Sequence, residues 1–128
     1  MTAQTSDYLA QIFELTGKKD EATALYKKSL DVTEKSHGQE DWEVAFRSMR
    51  LATNYNVTGK YKEAESCYKR ALDIYEKYQG HKRSGIVPCL QGLADLYGKM
   101  GKGEEARKCL DRMNEEKIKY EEFTKKER

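Results

Sequence analysis

The chain is short of nearly everything that chemistry or membrane insertion requires. Its 128 residues include two histidines, one tryptophan, one proline and three cysteines. Cys67, Cys89 and Cys109 are odd in number, stand 22 and 20 residues apart and form no C-x-x-C pair. That spacing supports neither a zinc site nor a disulfide framework, and a reducing, cytoplasmic compartment is the simplest expectation. The start, MTAQTSDYLAQIFELTG, has no basic stretch leading into an apolar run. No uninterrupted apolar segment approaches the roughly 20 residues that cross a bilayer, so no membrane contact is expected. The 24 Lys+Arg nearly balance 22 Asp+Glu, a formal +2, which is too weak a field to hold a phosphate backbone. Nucleic acid is therefore not an expected partner. No nucleophile stands with a paired histidine, and there is neither a phosphate-binding glycine loop nor a metal-ligand spacing, so no catalytic residue, cofactor or metal is expected.

What the chain does have is a repeat of fixed period. Gly17, Gly59 and Gly101 fall 42 residues apart, as do Leu9, Leu51 and Leu93, Ala10, Ala52 and Ala94, Lys18, Lys60 and Lys102, and Ala22, Ala64 and Ala106. Three such units use almost the whole length. A period of this size marks stacked units, none of which can bury its apolar face alone. The modest 38% hydrophobic content beside 36% charged fits a thin, elongated core.

Within the second unit the apolar residues Leu51, Ala52 and Tyr55, then Ala64, Tyr68, Ala71, Leu72 and Tyr75, advance in steps of three and four. That is the pattern of one helix face. Between the two groups lies NVTGKY, whose Gly59 can close one helix before Lys60 and Tyr61 open the next. Each unit is thus a helix A followed by an antiparallel helix B. The predicted spans are A1 Thr2 to Leu15, B1 Asp20 to Lys35, A2 Asp41 to Val57, B2 Tyr61 to Tyr78, A3 from Ser84 or Pro88 to Lys99, and B3 from Glu104 to Lys119 or beyond. Pro88 is expected in the first turn of A3, where its missing N–H costs nothing. Ala22, Ala64 and Ala106 are expected where B crosses A most closely, with Phe13, Tyr55 and Tyr97 filling the wider gap alongside. Leu25, Cys67 and Cys109 share one register position, so the two thiols read as small hydrophobes in packing. Trp42, at the start of A2, either fills a gap between units or offers a partner contact.

These residues resemble the tetratricopeptide repeat, whose pattern is W-x2-L-G-x2-Y followed by A-x3-F, A and P. The second unit matches with Leu51, Ala52, Tyr55, Ala64, Tyr68 and Ala71, the first with Leu9, Ala10, Phe13, Ala22, Tyr26 and Ser29, and the third with Leu93, Ala94, Tyr97, Ala106, Leu110 and Met113. The long period and the segment GKYKEAESCYKRALDIYEK are similar to the kinesin light chain and nephrocystin type of repeat. The resemblance implies an all-α, right-handed superhelical solenoid of three antiparallel helix pairs, a single domain over 1–128. Its repeats would cover about 1–38, 41–80 and 84–119, with a polar C-terminal helix extension over about 115–128.

By the same resemblance the A helices line a concave face that grips a protein or peptide partner without catalysis. The candidate groove residues are Asp7, Gln11 and Glu14 in the first unit, Phe46, Met49, Thr53 and Asn56 in the second, and Gln91, Asp95 and Lys99 in the third. The carboxylate clamp known in the family needs basic A-helix positions, where this chain carries Asp7, Gln11, Thr53, Gln91 and Asp95. The Asn-Asn pair typical of kinesin light chains is replaced by Asp7-Tyr8, Met49-Arg50 and Gln91-Gly92. Asp7, Glu14 and Asp95 outnumber Lys99, and Phe46 and Met49 offer an apolar floor, so a basic and hydrophobic partner segment is expected. The alternatives are a self-associating or array-forming segment that stacks end to end, and a regulatory subunit of an enzyme.

Overall fold

Once in each unit the backbone turns left-handed at a glycine. In the computed structural model, which describes residues 2–126, Gly17, Gly59 and Gly101 have φ of 83°, 81° and 74°. Glycine takes that conformation without a Cβ penalty. The N–H of the lysine that follows reaches back to a carbonyl five residues earlier, Lys18 to Phe13 at 2.8 Å, Lys60 to Tyr55 at 2.9 Å and Lys102 to Tyr97 at 2.8 Å. Each closure satisfies carbonyls that a helix end would otherwise leave unpaired, and each reverses the chain after a short turn.

The result is six helices: α1 (Ala3–Leu15), α2 (Lys19–His37), α3 (Trp42–Val57), α4 (Tyr61–Tyr75), α5 (Ile86–Lys99) and α6 (Gly103–Lys126). They pack as the pairs α1 with α2, α3 with α4, and α5 with α6, and the pairs stack through α2 on α3 and α4 on α5. No strand occurs among the described residues. The molecule is an all-α solenoid of three helix pairs. Met1, Glu127 and Arg128 lie outside the described residues, and with them the two ends of the expected 1–128 domain.

Helix starts follow local chemistry closely. Thr2 and Asp41 are caps and not first residues: Thr2 Oγ1 accepts from the Thr5 N–H at 3.1 Å and Asp41 Oδ1 from the Glu43 N–H at 2.8 Å. Pro88 lies in the first turn of α5 as expected. One end differs. α4 stops at Tyr75, short of the predicted Tyr78, and a 3-10 turn forms over Gly80–Arg83. The Arg83 guanidinium folds back and donates to the carbonyls of Glu76 at 2.8 Å and Tyr78 at 3.4 Å, so a side chain takes over part of the work of the next helical turn. α6, by contrast, runs unbroken for 24 residues, and the third B helix and the polar extension are one element.

Small residues bring the helices of a pair together. Ala10, Ala22, Ala52 and Ala64 are fully buried, while Ala106 on α6 is only partly covered. Trp42 packs against the core, and its backbone N–H donates to the Tyr78 hydroxyl at 3.1 Å, which favours the gap-filling role. Between pairs the contacts repeat. Arg70 meets Glu34 at 2.7 Å and Arg112 meets Glu76 at 2.6 Å, two struts in the same register. Tyr68 is buried with its ring against Gly92, where an added Cβ would stand 2.4 Å from the ring carbon that bears the hydroxyl.

That contact yields a compensation test. Gly92→Ala is expected to destabilise the protein by about 1–3 kcal/mol through overpacking, despite the roughly 1 kcal/mol that alanine gains in helix propensity. In the Tyr68→Leu background the same change is expected to be neutral or stabilising. Urea denaturation of the four proteins in the cycle measures both terms.

Candidate functional site

The first helices of the three pairs are α1, α3 and α5, and a cavity lies mainly against the first two of them. Gln11 and Glu14 from α1 and Phe46, Met49 and Thr53 from α3 line a cavity of about 330 Å³. Tyr26 of α2, Arg50 of α3 and Pro88 of α5 complete its wall. Five of the ten residues expected from the sequence therefore share one concavity.

Polar contacts hold that wall in place. Glu14 accepts from the Tyr26 hydroxyl at 2.6 Å and from Asn54 Nδ2 at 3.2 Å, and the Thr23 hydroxyl donates to Asn54 Oδ1 at 2.5 Å. Burial, reinforced by the neighbouring Glu14 carboxylate, raises the Tyr26 pKa above the ordinary phenol value, so the group stays a donor. Thr53 bonds to the Met49 carbonyl and to the Tyr68 hydroxyl, each at 3.0 Å. The Phe46 ring carries two guanidinium groups, Arg50 at 5.0 Å and Arg47 at 5.4 Å from its centre, a cation–π arrangement that also stiffens the ring.

The remaining expected residues lie apart from the cavity. Asn56 is buried, donates to Asp95 Oδ2 at 2.9 Å and accepts from Lys99 Nζ at 3.1 Å, while Asp95 and Lys99 pair at 3.3 Å. These three form a second polar cluster between the second and third units. Gln91 is exposed on α5. Asp7 is only 3% exposed and is paired with Arg47. Its Oδ1 and the Arg47 Nε find no further partner among the described residues, so the pair is closed in and not presented to a ligand. Burial lowers the Arg47 pKa from its ordinary value, and Arg50 alongside adds to the shift.

Arg47 and Arg50 change the charge balance of this surface. Counting Asp7, Glu14, Asp95 and Lys99 alone leaves it acidic, but the two arginines neutralise that excess. Arg50 has no carboxylate partner among the described residues, and its Nε is buried without an acceptor. The pattern of A-helix positions does not point to these arginines, because it says which way a residue faces and not which charge it meets. The period carries a partial signal: Asp7 and Arg47 are 40 residues apart, close to the repeat step that brings neighbouring A helices together.

Elsewhere the side chains offer little chemistry. The three cysteines are free. Burial pushes the Cys89 thiol up to about 12 and raises those of Cys67 and Cys109 as well. Among the described residues there is no cluster of His, Cys, Asp and Glu suited to a metal ion, and no helix is long and apolar enough to cross a membrane.

Comparison with known proteins agrees with this architecture. Two models described as tetratricopeptide repeat match the chain, one over residues 2–43 and the other over 44–112. Among solved structures, the crystal structure of BtubC (BKLC) from P. vanneervenii is similar, with a TM-score of 0.83 and 23% identity over 88% of this chain. The chain spans 45% of the length of that protein. No curated protein matches by sequence.

Two expectations follow from the burial pattern. Arg47→Ala, which strands a buried carboxylate, is expected to cost about 3 kcal/mol, whereas Arg70→Ala, at a partly exposed strut, is expected to cost less than about 1 kcal/mol; thermal denaturation ranks them. At pH 8 a thiol reagent is expected to label native Cys89 far more slowly than the denatured chain, read by mass spectrometry, with Cys67 and Cys109 between the two.

Proposed function

The chain belongs to the tetratricopeptide repeat family, and from that premise we propose a non-catalytic protein-interaction module whose groove along α1, α3 and α5 takes a segment of a partner protein. Repeats of this family generally mediate protein–protein interaction. The observation that carries the groove reading is the cavity of about 330 Å³ with Phe46, Met49 and Tyr26 in its wall. Its size and lining suit one large apolar side chain of an extended or helical segment, with Gln11 and Thr53 at the edge to meet backbone groups.

The charge preference we propose differs from the basic segment expected from sequence. Asp7 is engaged by Arg47, Glu14 by Tyr26 and Asn54, and Asp95 by Asn56 and Lys99. Asp7 is closed in by burial, and the negative charge of Asp95 is already met by Lys99, so these carboxylates present a weaker field to an incoming cation than their number suggests. Arg50, stacked on Phe46 at the cavity wall, is a cation with no carboxylate partner among the described residues. A large hydrophobe beside a carboxylate therefore fits better, the carboxylate contributing mainly to specificity and association rate.

Selection from a displayed peptide library, followed by fluorescence anisotropy, tests this reading. Enriched peptides are expected to share a large apolar residue flanked by Asp or Glu. Met49→Glu is expected to weaken their binding by about tenfold or more, and Arg50→Ala to weaken it several-fold and flatten its salt dependence. Binding that survives Met49→Glu would move the working surface out of the groove, and enrichment of Lys and Arg would restore the basic preference.

A further inference from the structure

We propose that copies of this chain associate head to tail, the outer face of α1 in one copy docking on the outer face of α6 in the next. The contact continues, between molecules, the stacking that joins units within the chain, and it uses surfaces separate from the groove.

The α1 face is apolar and uncovered. Tyr8, Ile12 and Leu15 are spaced as one helical stripe and are 57%, 55% and 87% exposed. Their equivalents one and two periods later are Arg50, Asn54 and Val57 on α3 and Gly92, Leu96 and Lys99 on α5. On those helices the preceding pair covers the first two positions, while the third, Val57 and Lys99, stays exposed. Thr23 of α2 bonds Asn54, Arg50 and Tyr26 share a cavity wall, Tyr68 of α4 lies against Gly92, and Leu96 is fully buried. The internal repeat thus states what belongs on the α1 stripe, namely the B helix of a preceding unit. Within one molecule there is none among the described residues, and a second copy supplies one in α6.

The α6 face is shaped to receive it. Leu110 occupies the register of Tyr26 and Tyr68, yet it is 39% exposed where each tyrosine is 3% exposed. The repeat step that sets Arg50 beside Tyr26 and Gly92 beside Tyr68 sets Tyr8 of a second copy on Leu110. Sizes exchange across this junction. The large Tyr68 fits because glycine faces it, and the shorter Leu110 leaves room for the large Tyr8. Ile12 then lies along the aliphatic stem of Arg107, which holds the register of Thr23 and Glu65.

The junction is weaker than those inside the chain for two visible reasons. The strut register that carries Glu34 with Arg70 and Glu76 with Arg112 carries Ile118 with Lys28 across the junction, so its ion pair is lost. Beside α6 an open cleft of about 410 Å³ includes Val87, Pro88, Tyr120 and Phe123. Where α5 brings Ile86 and Cys89 to the junction with the second unit, α1 of a second copy has only Thr2 and Thr5 in the same register, so less apolar area covers that end of α6. Because the two faces differ, the contact is heterologous, and because each copy adds along the stacking axis it stays open, so association grows with concentration instead of stopping at a dimer.

Sedimentation velocity on the full chain over about 10 µM to 1 mM tests the proposal, a range suited to weak contacts. The weight-average mass is expected to rise through and beyond two copies. Tyr8→Glu and Leu110→Glu are each expected to remain monomeric, with helical circular dichroism unchanged because both side chains are exposed. Mixed in equal amounts, the two variants are expected to form a dimer and nothing larger, since one keeps a working α6 face and the other a working α1 face. A wild-type chain that stays monomeric throughout overturns the proposal. So does a dimer that Tyr8→Glu abolishes while Leu110→Glu leaves it intact, which would be a symmetric α1 contact. Failure of the mixture to pair also overturns it.

Discussion

No helix pair in this chain can bury both of its faces. An A helix packs on its own B helix with one side and on the preceding B helix with another, so the interior is a single layer continued from unit to unit. The fully buried alanines at Ala10, Ala22, Ala52 and Ala64 let the backbones come close enough for that thin layer to close. The left-handed glycines keep the two helices of each pair antiparallel at nearly constant spacing. Tyr26 and Tyr68 reach from one unit into the next, and the choice of Gly92 opposite Tyr68 shows how tightly the layer is filled.

A second consequence of this thinness is competition for polar side chains. With little apolar area at each joint, register between units falls to buried or half-buried polar contacts, and several of these sit on the face that a ligand would touch. Asp7 with Arg47, Glu14 with Tyr26 and Asn54, and Asn56 with Asp95 and Lys99 all cross from one helix to another. A charged pair that is closed in contributes little net stability but penalises any alternative alignment that would separate it. Such groups are poor ligands for the same reason that they are good register marks. In the binding mode we propose, the groups left to recognise a partner are Phe46, Met49 and Arg50.

The fold was legible because its determinants recur. Gly17, Gly59 and Gly101, with Ala22, Ala64 and Ala106, announce both the helix pairs and their boundaries through local geometry alone. The early end of α4 was not legible, because it depends on Arg83 reaching back to Glu76 and Tyr78, a choice made by a residue beyond the helix. The cavity was legible only in part. Equivalence of A-helix positions identified Gln11, Glu14, Phe46, Met49 and Thr53, which share a cavity. It had no means of adding Tyr26, which comes from a B helix, or Pro88, which comes from the following unit. It also could not pair Asp7 with Arg47, since periodicity fixes direction and leaves the distance between side chains of neighbouring units to packing.

The uneven covering of the last helix gives the molecule a gradient along its axis. On α6 only Met113 and Glu116 are buried, whereas α3 and α5, enclosed by neighbours, bury most of their inward residues. In a linear stack each joint opens at its own cost, so order is lost from the thinly covered end inward. α1, at the other end, is also thinly covered and buries only Ser6, Asp7 and Ala10, so α3, enclosed by α2 and α4, is the wall of the cavity that opens at the greatest cost.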